Sequence, residues 1–288
     1  MKRVIKTILW ALVLVFIGMH ALEYVSNHNI QVMNPKGLIA AKQKWLILVS
    51  AGLMCLVVIP VFIMIPLFYW KYREQNKKSK YAPEWGHSTL AEIIWWGIPC
   101  LMIAVLGILT WTSTHALNPY QPIVNGKKPL NIQVVALDWK WLFIYPEQGI
   151  ATVNYVQFPK DTPITFSISA DAPMNSFWIP QLAGQIYAMP GMTTKMNLIA
   201  NEAGNYKGLS ANISGKGFAG MFFRAVATSD EEFEEWVSKV RSSPLYLSNS
   251  EYEQLARPSE YNKVTYYSGV SDGLFNQIVM KYMHKGQQ

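Results

Sequence analysis

One stretch of this chain has the spacing of a metal site without the donors. Over Gly208–Met221, GLSANISGKGFAGM, the polar residues Ser210, Asn212 and Ser214 recur at every second position among glycines, and Phe218 and Met221 follow. A loop of this rhythm, late in a strand-rich region, is where a metalloprotein holds its ligands. Soft metals are held by thiolate and imidazole, and serine hydroxyls, a carboxamide and a phenyl ring do not replace them. Only the thioether of Met221 has ligand character.

The rest of the chain offers little to complete such a site. Its two cysteines, Cys55 and Cys100, lie inside long apolar runs, so the region beyond them has no disulfide framework, no thiolate ligand and no cysteine nucleophile. After residue 112 the histidines are His115 and His284. Met189, Met192 and Met196 could form a thioether cluster, but at this spacing they read as packing. No G-x-S-x-G, phosphate-binding loop or zinc spacing occurs. The acids Asp230–Glu232, Glu234 and Glu235 read as the solvated face of a helix. Glu92 precedes an apolar run and has two readings, an interfacial carboxylate or a proton-carrying group at a membrane boundary. Trp139 and Trp141 alternate, which places both on one face of a strand, in a packing or subunit-interface role.

The elements around these residues change character along the chain. Residues 1–112 hold eleven Lys/Arg and four Asp/Glu, whereas residues 113–288 hold fourteen of each, so the whole excess of +7 lies with the apolar segments. A neutral C-terminal part supplies no basic patch for nucleic acid, and membrane topology explains the charge better. Residues 1–22 carry Lys2, Arg3 and Lys6 before an apolar run from Ile8 to Ile17, the form of a signal peptide or a retained signal-anchor. Residues 23–45 are polar with a turn at Asn34-Pro35-Lys36-Gly37. Residues 46–70 contain no charge and are long enough to span a bilayer at about 1.5 Å per residue. Trp45, Tyr69, Trp70 and Tyr72 flank them as interfacial aromatics, and Pro60 and Pro66 are expected to kink the helix. The loop 71–91 is rich in lysine and therefore cytoplasmic, and a second span covers 92–112. Everything after it then lies on the outer side.

From Pro129 the period shortens to two. Ile132, Val134 and Ala136 alternate with polar residues, as do Ile164, Phe166 and Ile168, and Phe223, Ala225 and Ala227, which describes a β-sandwich or barrel over 113–228. A helical C-terminal region, 229–288, follows. Ser229 with Glu232 and Ser248 with Glu251 mark helix starts, and a last helix is expected over Leu274–Met283.

This arrangement resembles subunit II of the haem–copper oxidases, a transmembrane hairpin followed by a cupredoxin domain. In the cytochrome c branch the ligand loop reads C-x-E-x-C-x3-H-x2-M, with one histidine upstream. Here the loop reads S-x-N-x-S-x3-F-x2-M over Ser210–Met221, and the upstream histidine position falls at Asn175 in Met174–Trp178. Further stretches are similar to the cytochrome bo-type ubiquinol oxidases: Asp138–Asn154 (DWKWLFIYPEQGIATVN), Asn175–Pro180 (NSFWIP), Gln185–Met192 (QIYAMPGM) and Pro258–Tyr266 (PSEYNKVTY), the last within an aromatic-rich C-terminal region. The likeness runs from about residue 34 to the end. It departs at the N-terminus, where the lipobox cysteine often found in that subunit has no counterpart.

The resemblance implies an α+β membrane protein: an N-terminal transmembrane hairpin, a cupredoxin-like β-sandwich/barrel without copper ligands, and a helical, aromatic-rich extension. It implies subunit II of a proton-translocating ubiquinol oxidase in a bacterial inner membrane, with the C-terminal domain periplasmic. This chain would bind no cofactor, because haems and a copper ion belong to subunit I. The implied partners are subunits I, III and IV, membrane lipid, and ubiquinol through subunit I, with neither nucleic acid nor cytochrome c. It also implies a role for Glu92, which resembles the glutamate at the mouth of the lysine proton channel. Two other readings stay open: subunit II of a menaquinol-type oxidase, and a free-standing membrane-anchored scaffold with a degenerate cupredoxin domain.

Overall fold

The computed structural model of the chain describes residues 30–77 and 86–283, together with residues 16, 18–20, 23, 82 and 84. The signal peptide or signal-anchor expected over residues 1–22 lies almost wholly outside the described residues, as does His284. Two compact units are present, one of Lys42–Gln121 and one of Met1–Ala41 with Pro122–Gln288.

The smaller unit holds two long helices, α1 (Leu38–Lys71) and α2 (Thr89–Ala116). Both are long and apolar enough to cross a membrane. Large apolar side chains such as Leu48, Phe62, Leu101 and Ile108 are exposed around them. A helix that is apolar on every side is stable only in lipid or inside a larger protein. Each helix outruns the uncharged stretch read from sequence. α1 begins at Leu38 because Leu38–Lys44 are good helix formers directly after the Asn34–Gly37 turn. α2 begins at Thr89 because Ser88 accepts the Ala91 N–H as its N-cap. The polar segment 23–45 thus includes the start of α1.

The larger unit is a two-sheet sandwich. The first sheet contains β1 (Leu130–Leu137), β2 (Lys140–Tyr145), β3 (Ile150–Val153), β5 (Ile164–Ala170), β8 (Thr194–Leu198) and β11 (Thr265–Tyr267), in the order β11-β3-β2-β1-β5-β8. The second contains β4 (Tyr155–Pro159), β6 (Asn175–Trp178), β7 (Ile186–Ala188), β9 (Gly204–Ser210) and β10 (Phe222–Thr228), in the order β4-β10-β9-β6-β7. Each sheet has one parallel pair, β1 with β5 and β4 with β10. Between the sheets lies an aromatic core in which Phe177 and Phe223 stack with ring centroids 5.0 Å apart and Trp141 meets Phe177 edge-on at 5.3 Å.

The alternation expected for β1 holds only at its start. Val135 and Leu137, on the opposite face from Val134 and Ala136, are also buried, and all six residues of β2 are buried. The cause is the C-terminal region, α3 (Asp230–Arg241), α4 (Asn249–Leu255), β11 and α5 (Leu274–Met283). Leu247, Tyr252, Tyr267, Leu274, Phe275 and Ile278 form a second core with Val135, Leu137, Leu142 and Ile144 on the outer face of the first sheet. A strand covered on both faces carries a near-continuous apolar run. α3 opens with a full capping box, Glu232 N–H to Ser229 Oγ at 3.1 Å and Ser229 N–H to Glu232 Oε2 at 3.0 Å. Its buried face, Phe233, Trp236, Val237 and Val240, closes the sandwich core.

The turn before α1 is tied to the sandwich. Lys36 N–H donates to Gln181 O at 2.8 Å, Asn201 N–H to Lys36 O at 2.9 Å, and Lys36 pairs with Glu202 at 2.6 Å. Gly37 is required there, because a Cβ would stand 2.6 Å from the Ile199 carbonyl oxygen.

Candidate functional site

The loop that joins β9 to β10 carries the candidate residues. Ser210 closes β9 opposite Phe177 of β6, and Asn175 opens β6, so the sheet register brings the two polar side chains to one end of the sandwich. Both are buried, and the Ser210 hydroxyl donates to Asn175 Oδ1. The same hydroxyl lies 3.2 Å from the Asn212 carbonyl, so one proton is shared between two acceptors. Ser176 Oγ donates to Asn212 Oδ1 at 2.8 Å. Ser210 N–H donates to Met221 O at 3.2 Å and closes the neck of the loop, with the Met221 side chain buried in the core.

The tip of the loop folds over an indole. Trp139 Nε1 donates to Ser214 O at 3.1 Å. Gly215 has φ 112°, and a Cβ on Gly217 would stand 2.4 Å from Trp139 Cδ2, so only glycine lets the backbone lie on that ring. Phe218–Gly220 form one 3₁₀ turn, with Gly220 beneath the Tyr261 ring, and Lys216 pairs with Glu260 at 3.0 Å. Phe218 is half-buried.

The structure therefore joins Asn175, Ser210, Asn212 and the Met221 backbone in one hydrogen-bonded cluster, while Ser214 faces Trp139. The donor set does not fit a soft metal, because it consists of hydroxyls and carboxamides, with Ser210 bonded to Asn175 and Ser176 to Asn212, and only the Met221 thioether is of the required type. Among the described residues no three of His, Cys, Asp or Glu come together.

Trp139 and Trp141 do not share a strand face. Asp138 and Trp139 form the tight turn between β1 and β2, with Trp139 at φ 63°, and Trp141 is the second residue of β2. A residue at positive φ breaks the strand alternation, so the two indoles diverge. Trp141 is wholly buried in the aromatic core and reaches no surface, which removes it as an interface residue in this domain, whereas Trp139 is half-buried under the loop.

Glu92 lies in the first turn of α2, where the helix dipole favours an anion. Its carboxylate meets His87 Nδ1 just outside the helix, and both side chains have access to solvent.

Two buried charges escape a reading of the sequence, and both fasten the extension. Lys140 is buried in β2 and donates to Leu255 O at 2.8 Å, Arg257 O at 2.8 Å and Ser259 Oγ at 2.6 Å, which caps the end of α4. Burial lowers its pKa, opposed by the field of Asp138. Asp171, just after β5, accepts from Tyr252 Oη at 2.7 Å, Lys281 Nζ at 2.8 Å and Tyr282 Oη at 2.5 Å. Burial and then the bond to Asp171 push both tyrosine hydroxyls well above their ordinary pKa. A lysine inside the apolar run DWKWLFIY was the one available signal for the first; Asp171 sits in an ordinary turn sequence and had none.

Comparison with known proteins agrees with this architecture. The family described as cytochrome c oxidase subunit II, periplasmic domain, matches residues 147–227, and the one described as COX aromatic rich motif matches residues 241–286. A solved periplasmic domain of cytochrome oxidase subunit II from Bradyrhizobium japonicum is 22% identical, with a TM-score of 0.38, over 41% of this chain and 96% of that one. Two long apolar helices, the sandwich and the aromatic-rich extension together define a membrane-anchored oxidase subunit II.

The relatives narrow the class. The cytochrome bo(3) ubiquinol oxidase subunit 2 of Pseudomonas putida is 55% identical over 96% of this chain and 87% of its own length. The ubiquinol oxidase subunit 2 of Acetobacter aceti is 47% identical over 92% and 87%, and the quinol oxidase subunit 2 of Bacillus subtilis 37% identical over 90% and 78%. The chain belongs to the ubiquinol oxidase subunit 2 family.

Proposed function

We propose that this chain is the copper-free subunit II of a proton-translocating terminal ubiquinol oxidase in a bacterial inner membrane, with its sandwich on the periplasmic side. The complex oxidises two quinols per oxygen and releases two waters. The haems and the copper ion belong to subunit I, with subunits III and IV as further partners, and this chain anchors, caps and helps to assemble the catalytic subunit. The observation that carries this reading is the loop itself. Its former ligand positions, Asn175, Ser210 and Asn212, are bonded to one another, so the domain offers no relay for electrons from a soluble donor. A lipid-soluble quinol delivers electrons inside the membrane and needs none. Identities of 55% and 47% to relatives named for ubiquinol, against 37% to one named for quinol alone, favour ubiquinol over the menaquinol alternative.

Glu92 is proposed as the entrance for protons. It sits at the expected cytoplasmic end of α2, and His87 beside it is a second ionisable group in contact with water. Ionisable residues at the boundary of a proton-moving membrane protein are placed to exchange protons with the bulk.

Purification through a tag on this chain tests the assignment. The expected product carries haem absorbance, copper outside this polypeptide, and oxygen uptake with ubiquinol that exceeds uptake with menaquinol. A tagged chain that purifies alone, without haem, identifies the free-standing scaffold instead. Glu92→Ala in the assembled enzyme is expected to slow turnover and proton uptake together; unchanged values remove the entrance.

A further inference from the structure

The outer face of the second sheet carries a groove of about 480 Å³ that the oxidase reading does not use. Its floor is β9 and β10, and its wall is the Tyr261–Val264 segment of the extension. Arg224 and Lys207 are paired directly across the two antiparallel strands, which puts their Cα atoms about 5 Å apart. Like charges at opposed positions destabilise a sheet. Lys36, Lys127, Lys128 and Lys216 of this unit each meet a carboxylate, Glu202, Asp230, Glu147 and Glu260 in turn. In the groove no acid lines the surface, and among the described residues no carboxylate pairs with either cation. The Lys207 ammonium rests 5.4 Å from the centre of the Phe222 ring.

Apolar surface surrounds the cations. Phe222, in β10, is 49% exposed, and Tyr261 and Val264, in the irregular segment before β11, are 67% and 44% exposed. The wall is tied to the sandwich at its middle: Asn154 Nδ2 donates to Asn262 O at 3.0 Å, and Asn154 Oδ1 accepts the Trp141 N–H at 2.8 Å. An arginine fork beside a lysine selects carboxylate or phosphate, and exposed Tyr, Phe and Arg on a rigid floor have the composition of an interface hot spot.

We propose that this groove binds an acidic polypeptide segment of a partner protein, with carboxylates at Arg224 and Lys207 and an adjacent apolar side chain between Phe222 and Tyr261. The combination favours a polypeptide over a lipid headgroup, because a headgroup uses the two cations and leaves the three apolar side chains exposed. The proposal uses the β-domain alone and stands apart from the oxidase assignment.

The test is titration of the purified full chain in neutral detergent with the peptide acetyl-Glu-Phe-Asp-Leu-Glu-amide, followed by the fluorescence anisotropy of a label on the peptide. Expected are saturable binding that weakens with salt, a loss of at least tenfold in Lys207→Glu/Arg224→Glu, a smaller loss in Phe222→Ser, and no binding of the neutral analogue acetyl-Gln-Phe-Asn-Leu-Gln-amide. All substituted side chains are exposed, so an unchanged melting temperature shows that the variants are folded. Absence of saturable binding, equal binding of the neutral analogue, or indifference to the double reversal overturns the proposal. So does preference for phosphatidylglycerol vesicles over the peptide, which assigns the groove to a lipid surface.

Discussion

Asp171→Asn measures how firmly the extension is held. Asp171 has a side-chain exposure of 2% and takes three donors, Tyr252 Oη at 2.7 Å, Tyr282 Oη at 2.5 Å and Lys281 Nζ at 2.8 Å. Lys281 is half-exposed, at 51%, so its ammonium recovers water when the partner is lost and adds little. The phenols do not: a hydrogen bond to a charged acceptor is worth about 1.5–3 kcal/mol, and asparagine keeps one neutral acceptor while turning an amide N–H₂ toward another hydroxyl. The expected cost is about 3 kcal/mol, which for a domain of this size lowers the melting temperature by roughly 6–12 °C. Because the three donors all come from α4 and α5, the loss falls on the extension first. Amide hydrogen exchange over 249–255 and 274–283 should accelerate about a hundredfold while the aromatic core stays protected. Lys281→Gln serves as the control and should cost under about 1 kcal/mol. Unchanged exchange in Asp171→Asn, or an equal cost in Lys281→Gln, would refute the reasoning.

Three further outcomes follow from the same geometry. Burial raises the phenol pKa of Tyr145, Tyr155, Tyr206, Tyr252 and Tyr282, with Tyr155 and Tyr206 pushed up to about 12, so the folded state keeps protons that the unfolded chain releases near its ordinary tyrosine value of about 10. Their contribution is complete below that value and is lost as the pH rises through the folded pKa values; denaturant melts between pH 9 and 12 should show a steep fall in stability, made shallower in Tyr252→Phe. Gly217→Ala drives a methyl into the Trp139 indole, so its tryptophan emission should shift to the red and stability fall by about 1–3 kcal/mol in a urea melt. Ser210→Ala deprives the buried Asn175 Oδ1 of its donor at a cost of about 1–3 kcal/mol, while Ser214→Ala, whose Oγ has no partner, should leave the same melt almost unchanged.

The two long apolar helices were legible because their signal is local and redundant. A charge-free run of more than twenty residues reads as a helix from local sequence alone, and the structure extends each helix at its ends, where Ser88 and the Asn34–Gly37 turn set the first helical residue. The capping box at Ser229 and the last helix, Leu274–Met283, were likewise visible, since a cap and a 3.6-residue period involve only near neighbours. The pairing of Trp139 with Trp141 failed for an equally local reason. A turn at positive φ interrupted the alternation, and nothing in DWKW marks that residue as the corner.

Residue types alone determined what the loop at Ser210–Met221 lacks: hydroxyl, carboxamide and phenyl groups stand where thiolate and imidazole would be needed, and no arrangement of the chain changes that chemistry. What those residues do instead was decided by tertiary structure. Register between β6 and β9 brings Asn175 to Ser210 across 35 positions of sequence, and the loop seats its glycines on an indole from another hairpin. The double burial of β1 and β2, the anchoring of the extension by Lys140 and Asp171, and the open groove beside Arg224 arise in the same way. Each depends on contacts between segments far apart in the chain, for which a single sequence carries no periodic signal.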